Sequence, residues 1–207
     1  MKTRLPILAV LLLVALLAGC GSSDSEKSDK PAVETKPSPF QGAVADPPKP
    51  APPLQLKDST GQTFDLAKYR GKAVLVTFLY VHCPDICPLM ASNLHTALKQ
   101  LGPQASRVQV VAVSTDPKGD TPKTVKKFLA SHQVTDEMRY LLGSKSQLAD
   151  VWKQWGIISR RDRTDPEKVE HSSPIYGISA SGKITTLYPA NFKPAQIVHD
   201  APLLAKQ

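Results

Sequence analysis

The stretch Cys83-Pro84-Asp85-Ile86-Cys87-Pro88 places two thiols in a Cys-x₃-Cys arrangement directly after strand-forming residues at 74–80. If this stretch opens a helix, side chains at i and i+4 lie on one face, close enough to share a metal ion or join in a disulfide. The amides of a helix N-terminus also favour thiolate over thiol. Pro84 suits the first helical position, whereas Pro88 removes an amide hydrogen bond and crowds the preceding turn, which predicts irregular, adjustable backbone at the second thiol. A structural disulfide ranks lowest among the chemistries, because so small a loop restricts the unfolded chain little and a domain of this length can build its own core. A dithiol redox centre and a thiolate metal site both remain, since each needs a helix N-terminus, partial exposure and two close sulfurs.

A metal site asks for a further donor, and five histidines are available. His171 stands apart, between a charged loop at 159–170 and the start of a late strand. Two thiolates from Cys83 and Cys87 with the His171 imidazole make a soft donor set that suits Cu(I), and Cu(II) where a fourth ligand completes a square. Zinc can use the same donors, although a structural zinc site normally takes four protein ligands. Strand alternation directs His82 to the face opposite Cys83. His95, His132 and His199 fall on predicted helices and are read as solvated or packed.

The elements that must position these groups follow from periodicity and turn residues. Residues 54–58 and 62–66 flank Ser59-Thr60-Gly61 as a β-hairpin. Residues 72–80 read as a central strand and 108–113 as a second buried one. Leu94, Ala97, Leu98 and Leu101 give helical spacing over 89–101, ended by Gly102-Pro103. Thr121 is the predicted N-cap, and Pro122 the first residue, of a helix through Val125, Phe128 and Leu129. A short strand at 139–142, a helix from 144 or 145 to about 155, a hairpin of 173–179 with 183–188, and a last helix at 194–204 complete the order. That order predicts a thioredoxin-like α/β fold: a mixed sheet flanked by helices, with an N-terminal β-hairpin extension. In such a plan the edge carrying His171 faces the end of the first central strand, where Cys83 lies.

The rest of the chain sets the compartment. Lys2 and Arg4 precede an apolar run to Leu17, and Leu17-Ala18-Gly19-Cys20 resembles a lipobox, so residues 1–19 are read as a lipoprotein signal and Cys20 as the lipidated residue. The apolar run is shorter than the roughly 18–20 residues that span a bilayer. Residues 20–53 are rich in Ser, Lys, Asp and Pro and are read as a disordered, Pro-rich spacer that holds the 54–207 domain outside the cytoplasm, tethered to a membrane. The formal charge of +8 is spread along the chain without a basic run or interleaved aromatics, which argues against a nucleic-acid partner.

Phe78-Leu79-Tyr80-Val81-His82-Cys83-Pro84-Asp85-Ile86-Cys87-Pro88, then Val113-Ser114-Thr115-Asp116-Pro117-Lys118-Gly119-Asp120-Thr121-Pro122, then the distant His171, resemble the SCO/SenC family of copper-binding, thioredoxin-like assembly factors for cytochrome c oxidase. The resemblance covers the whole domain. It implies copper bound by Cys83, Cys87 and His171, a redox-active Cys83–Cys87 pair, and delivery of copper to the dinuclear copper site of the oxidase or reduction of its thiols. The implied partner is the copper-binding subunit of the oxidase, or another copper or thiol carrier. Relatives often carry an Arg between the two aspartates where this chain has Gly119, which puts a salt bridge there in question. Asp116 and Asp120 could orient a partner or tune the thiols, or Asp116-Pro117 could simply start a turn. Pro174 is either a cis-proline facing the dithiol or a strand-edge proline.

The alternative is an extracytoplasmic thiol-disulfide oxidoreductase without a metal role. A thiol peroxidase is suggested by Gly61, Phe64, Leu66 and Gly71-Lys72. It is disfavoured because Val76 and Tyr80 stand where the peroxidatic Pro-x₃-Thr-x₂-Cys pattern requires Pro and Thr. A passive lipoprotein scaffold leaves the paired cysteines unexplained.

Overall fold

A computed structural model of the chain describes residues 38–164 and 169–207. The apolar leader, Cys20 and the spacer up to residue 37 lie outside the described residues. In chain order the elements are β1 (Ala43–Pro50), β2 (Gln55–Asp58), β3 (Thr63–Asp65), β4 (Ala73–Leu79), α1 (Ile86–Leu101), β5 (Val108–Ser114), α2 (Pro122–Ser131), β6 (Met138–Leu142), α3 (Lys145–Gln154), β7 (Ser159–Arg161), β8 (Val169–His171), β9 (Ile175–Ile178), β10 (Lys183–Tyr188) and α4 (Pro194–Leu204). Eight strands form one mixed sheet in the order β1-β10-β9-β4-β5-β6-β2-β3, and β7 pairs with β8 separately. This is the thioredoxin-like plan, with β4, β5 and β6 parallel at its centre.

The central strand shows why the sheet has two covered faces. All seven residues of β4 are buried. Ala73, Leu75 and Leu79 enter the core beneath α1, α2 and α4, while Val74, Val76 and Phe78 enter a second core with Leu148, Val151 and Trp155 and with Leu56 and Phe64 of the β2–β3 hairpin. Side chains that alternate between faces, apolar but for Thr77, whose hydroxyl donates to the Pro174 carbonyl, leave no surface for water, so helices or a hairpin must cover both sides. Each large buried side chain contributes about 1.5–3 kcal/mol through removal from water. The strands' carboxyl ends meet at one edge, where Leu79 is registered with Ser114. The candidate residues gather there.

Two expectations are corrected and one open alternative is decided. The spacer does not run to residue 53: β1 lies within it and pairs antiparallel with β10, with a register shift between Val44 and Lys49. Pro47, Pro48 and Pro50 are tolerated because an edge strand leaves one side's amides without a ladder to serve. The segment before β1 is clamped by Asp200, whose fully buried carboxyl group accepts from the Gln41 and Gly42 amides at 2.8–3.0 Å and from Tyr188 Oη at 2.9 Å. The charged segment 159–170 is not wholly a loop, since β7 and β8 pair with Ser159 opposite His171. Its charges hid the hairpin because neither strand is covered on both faces. Lastly, the one cis peptide bond among the described residues is Asp46–Pro47, so Pro174 is a trans, strand-edge proline ahead of β9.

Candidate metal centre

The chain leaves β4 at Leu79 and turns within six residues into α1, whose N-cap is Asp85. The helix therefore begins before Pro88 rather than after it. Cys87 and Pro88 occupy its first turn, where a missing amide hydrogen costs nothing because those amides have no intrahelical partner. The backbone at the second thiol is accordingly regular helix, which corrects the irregular backbone predicted from Pro88. Cys83 stays in the preceding loop, held by its amide to the Tyr80 carbonyl at 3.3 Å.

From that position the Cys83 sulfur does the work of a capping atom. It accepts the Cys87 amide at 3.3 Å and lies against the amides of Asp85 and Ile86. Cys83 is 6% exposed and Cys87 fully buried, and both are free thiols. The Cys87 thiol donates to the Cys83 sulfur. That contact, reinforced by the helix amides against the opposing effect of burial, pulls the Cys83 thiol down to about 6. The same contact, with burial and the nearby Asp120 carboxyl, pushes Cys87 well up. The reduced site thus carries one thiolate and one retained proton near neutral pH.

Two further groups frame the pair. Asp120 is 5% exposed and accepts from the Val81 amide at 2.9 Å, Ser114 Oγ at 2.6 Å and Tyr140 Oη at 2.9 Å. Burial raises its carboxyl to about 6 in spite of these donors. Tyr80, 3% exposed, has its hydroxyl against the Cys83 sulfur and the Val169 amide of β8, and burial together with the thiolate pushes it up to about 12.

His171 rests edge-on against the Tyr80 ring, with ring centroids 5.5 Å apart. Its Nδ1 stands 3.1 Å from both the Ser172 carbonyl oxygen and Ser173 Oγ, so the protein engages the ring through Nδ1. Burial lowers its pKa, which keeps the ring neutral.

The structure brings Cys83 and Cys87 into direct contact and sets His171 one aromatic ring away. Among the described residues, no three His, Cys, Asp or Glu side chains stand close enough to hold a metal ion. His82 leans over the loop at Gly119: a Cβ there would come within 2.8 Å of His82 Nδ1 and 2.4 Å of Asp116 Oδ2. His95 binds Glu137 at 2.8 Å, His132 packs on Phe128, and His199 binds Asp200 at 2.7 Å. The salt bridge that Gly119 put in question is made from elsewhere, because Arg161 of β7 reaches the buried Asp116. Arg161 carried no sequence signal, reading only as charged loop, and Tyr80 stood in the quoted motif with no role assigned to it.

Alkylation of the reduced protein by iodoacetamide is expected to modify Cys83 first, with a pH midpoint near 6 instead of the ordinary 9.0. Cys87→Ala removes the donating thiol and should raise that midpoint. The folded value lies below the unfolded one, so the thiolate stabilises the reduced fold at alkaline pH, and this stabilisation is lost as pH falls through about 6. A wild-type midpoint near 9 would show that the thiol–thiolate contact does not form.

Residues 43–205 match the family model described as SCO1/SenC. An SCO2-like protein of Rickettsia conorii is 28% identical over 190 residues, covering 88% of this chain and 90% of its own. The SCO1 protein homolog of Bacillus subtilis is 27% identical over 139 residues, covering 66% and 72%. Among solved structures, apo Sco1 from Thermus thermophilus has a TM-score of 0.70 at 26% identity over 80% of this chain and 96% of that one. ScoI of Bradyrhizobium japonicum with copper bound has a TM-score of 0.67 at 26% identity over 74% and 98%.

Proposed function

The chain belongs to the SCO1/SenC family, and from that premise we propose that it is a copper-binding metallochaperone of the membrane exterior, using Cys83, Cys87 and His171 as ligands. The observation that carries the reading is the pair of sulfurs at the mouth of α1, a thiolate with a second thiol in contact with it, and the His171 imidazole held one aromatic ring away on Tyr80. Soft sulfur and imidazole donors suit copper, and the similarity to a relative solved with copper bound supports the choice. Cys83 supplies the first anionic donor, Cys87 gives up its proton on binding, and His171 turns from its rest on Tyr80. The cargo's destination, in this reading, is the dinuclear copper site of cytochrome c oxidase, either by copper transfer or by reduction of that site's thiols.

Lipidation at Cys20 would tether the domain to the outer face of a bacterial membrane. Among the described residues no helix is long and apolar enough to cross a membrane. Since Asp200 accepts from the Gln41 and Gly42 amides, any tether would join the domain ahead of residue 41.

Anaerobic copper titration of the reduced full-length protein tests the proposal. One ion per chain is expected, with affinity lowered in His171→Ala. Stoichiometric binding unchanged by that substitution would sink the ligand set. The contrast between the two thiols favours a second reading as thiol-disulfide oxidoreductase: Cys83 thiolate attacks a partner disulfide, releasing a partner thiolate, and Cys87, once deprotonated, displaces the second partner thiol to leave a Cys83–Cys87 disulfide. Rapid turnover of that kind with copper stripped would decide for it.

A further inference from the structure

We propose that Arg161 and Asp116 form a latch that positions His171 for the dithiol, an inference that rests on the copper reading above. The hairpin of β7 and β8 carries His171 on one strand, with Ser159 directly across from it. Residues 159 and 161 point to the same side of β7, because strand side chains alternate, and both engage the loop that follows β5. Ser159 Oγ donates to the Thr115 carbonyl at 3.1 Å, and the Arg161 guanidinium pairs with the Asp116 carboxylate. The intervening Arg160 turns outward to Glu170 at the surface.

The receiving loop is itself immobilised. Asp116 is 3% exposed, Thr115 is bonded through its amide and hydroxyl to the Leu79 carbonyl at 2.8 and 3.1 Å, and Trp152 Nε1 donates to the Ser114 carbonyl at 3.0 Å. That same Leu79 ends the strand that leads into Cys83. The loop is therefore a rigid reference shared by the two halves of the site, with the thiols on one side and the imidazole on the other. Without the Arg161–Asp116 pair, the hairpin is attached near His171 by the Ser159–Thr115 bond, the Ile158–Ser172 bonds at its base and the seat of Val169 and His171 on Tyr80. Arg161 is thus a positioning residue: through Asp116 it restricts where the imidazole can be. Gly119 belongs to the same device, since any side chain there would displace the Asp116 carboxylate.

The test compares Arg161→Gln in the wild-type and His171→Ala backgrounds of the reduced full-length protein. In the first, Cu(II) affinity should fall about tenfold or more, the usual cost of removing a group that orients a ligand, and the nitrogen splitting from His171 in the EPR spectrum should weaken. In the second, affinity should not change further. In copper-free protein, amide hydrogen exchange in β7 and β8 should quicken. Gly119→Ala, which leaves Arg161 intact, should reproduce these effects. Unchanged affinity in the presence of His171, or equal losses in both backgrounds, overturns the latch. Failure of the wild-type protein to bind copper is a separate result that removes the copper reading. The latch is then decided by exchange and by the His171 ring NMR shifts, and it is overturned if Arg161→Gln moves neither.

Discussion

Oxidation of Cys83 and Cys87 by diamide is expected to abolish copper binding at micromolar protein, and reduction should restore it in full. The two thiols lose two electrons and two protons to the diazene, and the disulfide that forms leaves no thiolate to donate. The buried contact between the sulfurs prepares this reaction, because Cys83 already carries the nucleophilic thiolate and Cys87 lies against it. Cys83→Ser and Cys87→Ser should each lose binding as completely as the oxidised protein. Affinity should also fall as pH drops through about 6, where Cys83 takes up its proton. Burial lowers the His171 pKa, which favours the neutral imidazole as a donor. Copper bound equally by the reduced and oxidised forms would mean that the sulfurs are not ligands.

The second large effect concerns the fold's N-terminal seam. Asp200→Ala should lower stability by about 3–5 kcal/mol, because it strands the buried Gly42 amide and Tyr188 hydroxyl at about 1–3 kcal/mol each and also releases the part-buried Gln41 amide. The Gln41 and Gly42 amides and the Tyr188 hydroxyl all lose their acceptor. At that size the thermal midpoint falls by roughly 10 °C, and hydrogen exchange should quicken first in residues 41–50. Asp200→Asn keeps one acceptor oxygen and should be milder. Gly42→Ala strikes the same seam sterically, since a Cβ would stand 2.5 Å from the Tyr188 ring. A loss below about 1 kcal/mol for Asp200→Ala would mean that the β1–β10 pairing alone secures the segment.

Both predictions depend on groups of unequal legibility. The thiols, their spacing and their place after a buried strand were readable because strand and helix periodicity are local properties. Thr121 as the cap of α2 was readable for the same reason, and the structure gives it a reciprocal pair of hydrogen bonds with Thr124. The start of α1 was misjudged because a proline reads as a breaker unless the helix is known to begin just before it. Asp200 had no signal at all: it lies on the last helix, while its amide partners are 158 and 159 residues away.

The chain's own letters determined the fold class, the two thiols at a helix mouth and the distant histidine, since these rest on periodicity, turn chemistry and residue type. Tertiary structure alone decided how those residues differ. Two chemically identical cysteines become a thiolate and a protonated thiol because one accepts the other's hydrogen bond, with the helix amides beside it, while the donor is sealed by burial. Asp116 takes its ion-pair partner, Arg161, from 45 residues away and not from its own loop. Burial, dielectric and long-range pairing are properties of the packed core, and no local pattern encodes which partner arrives.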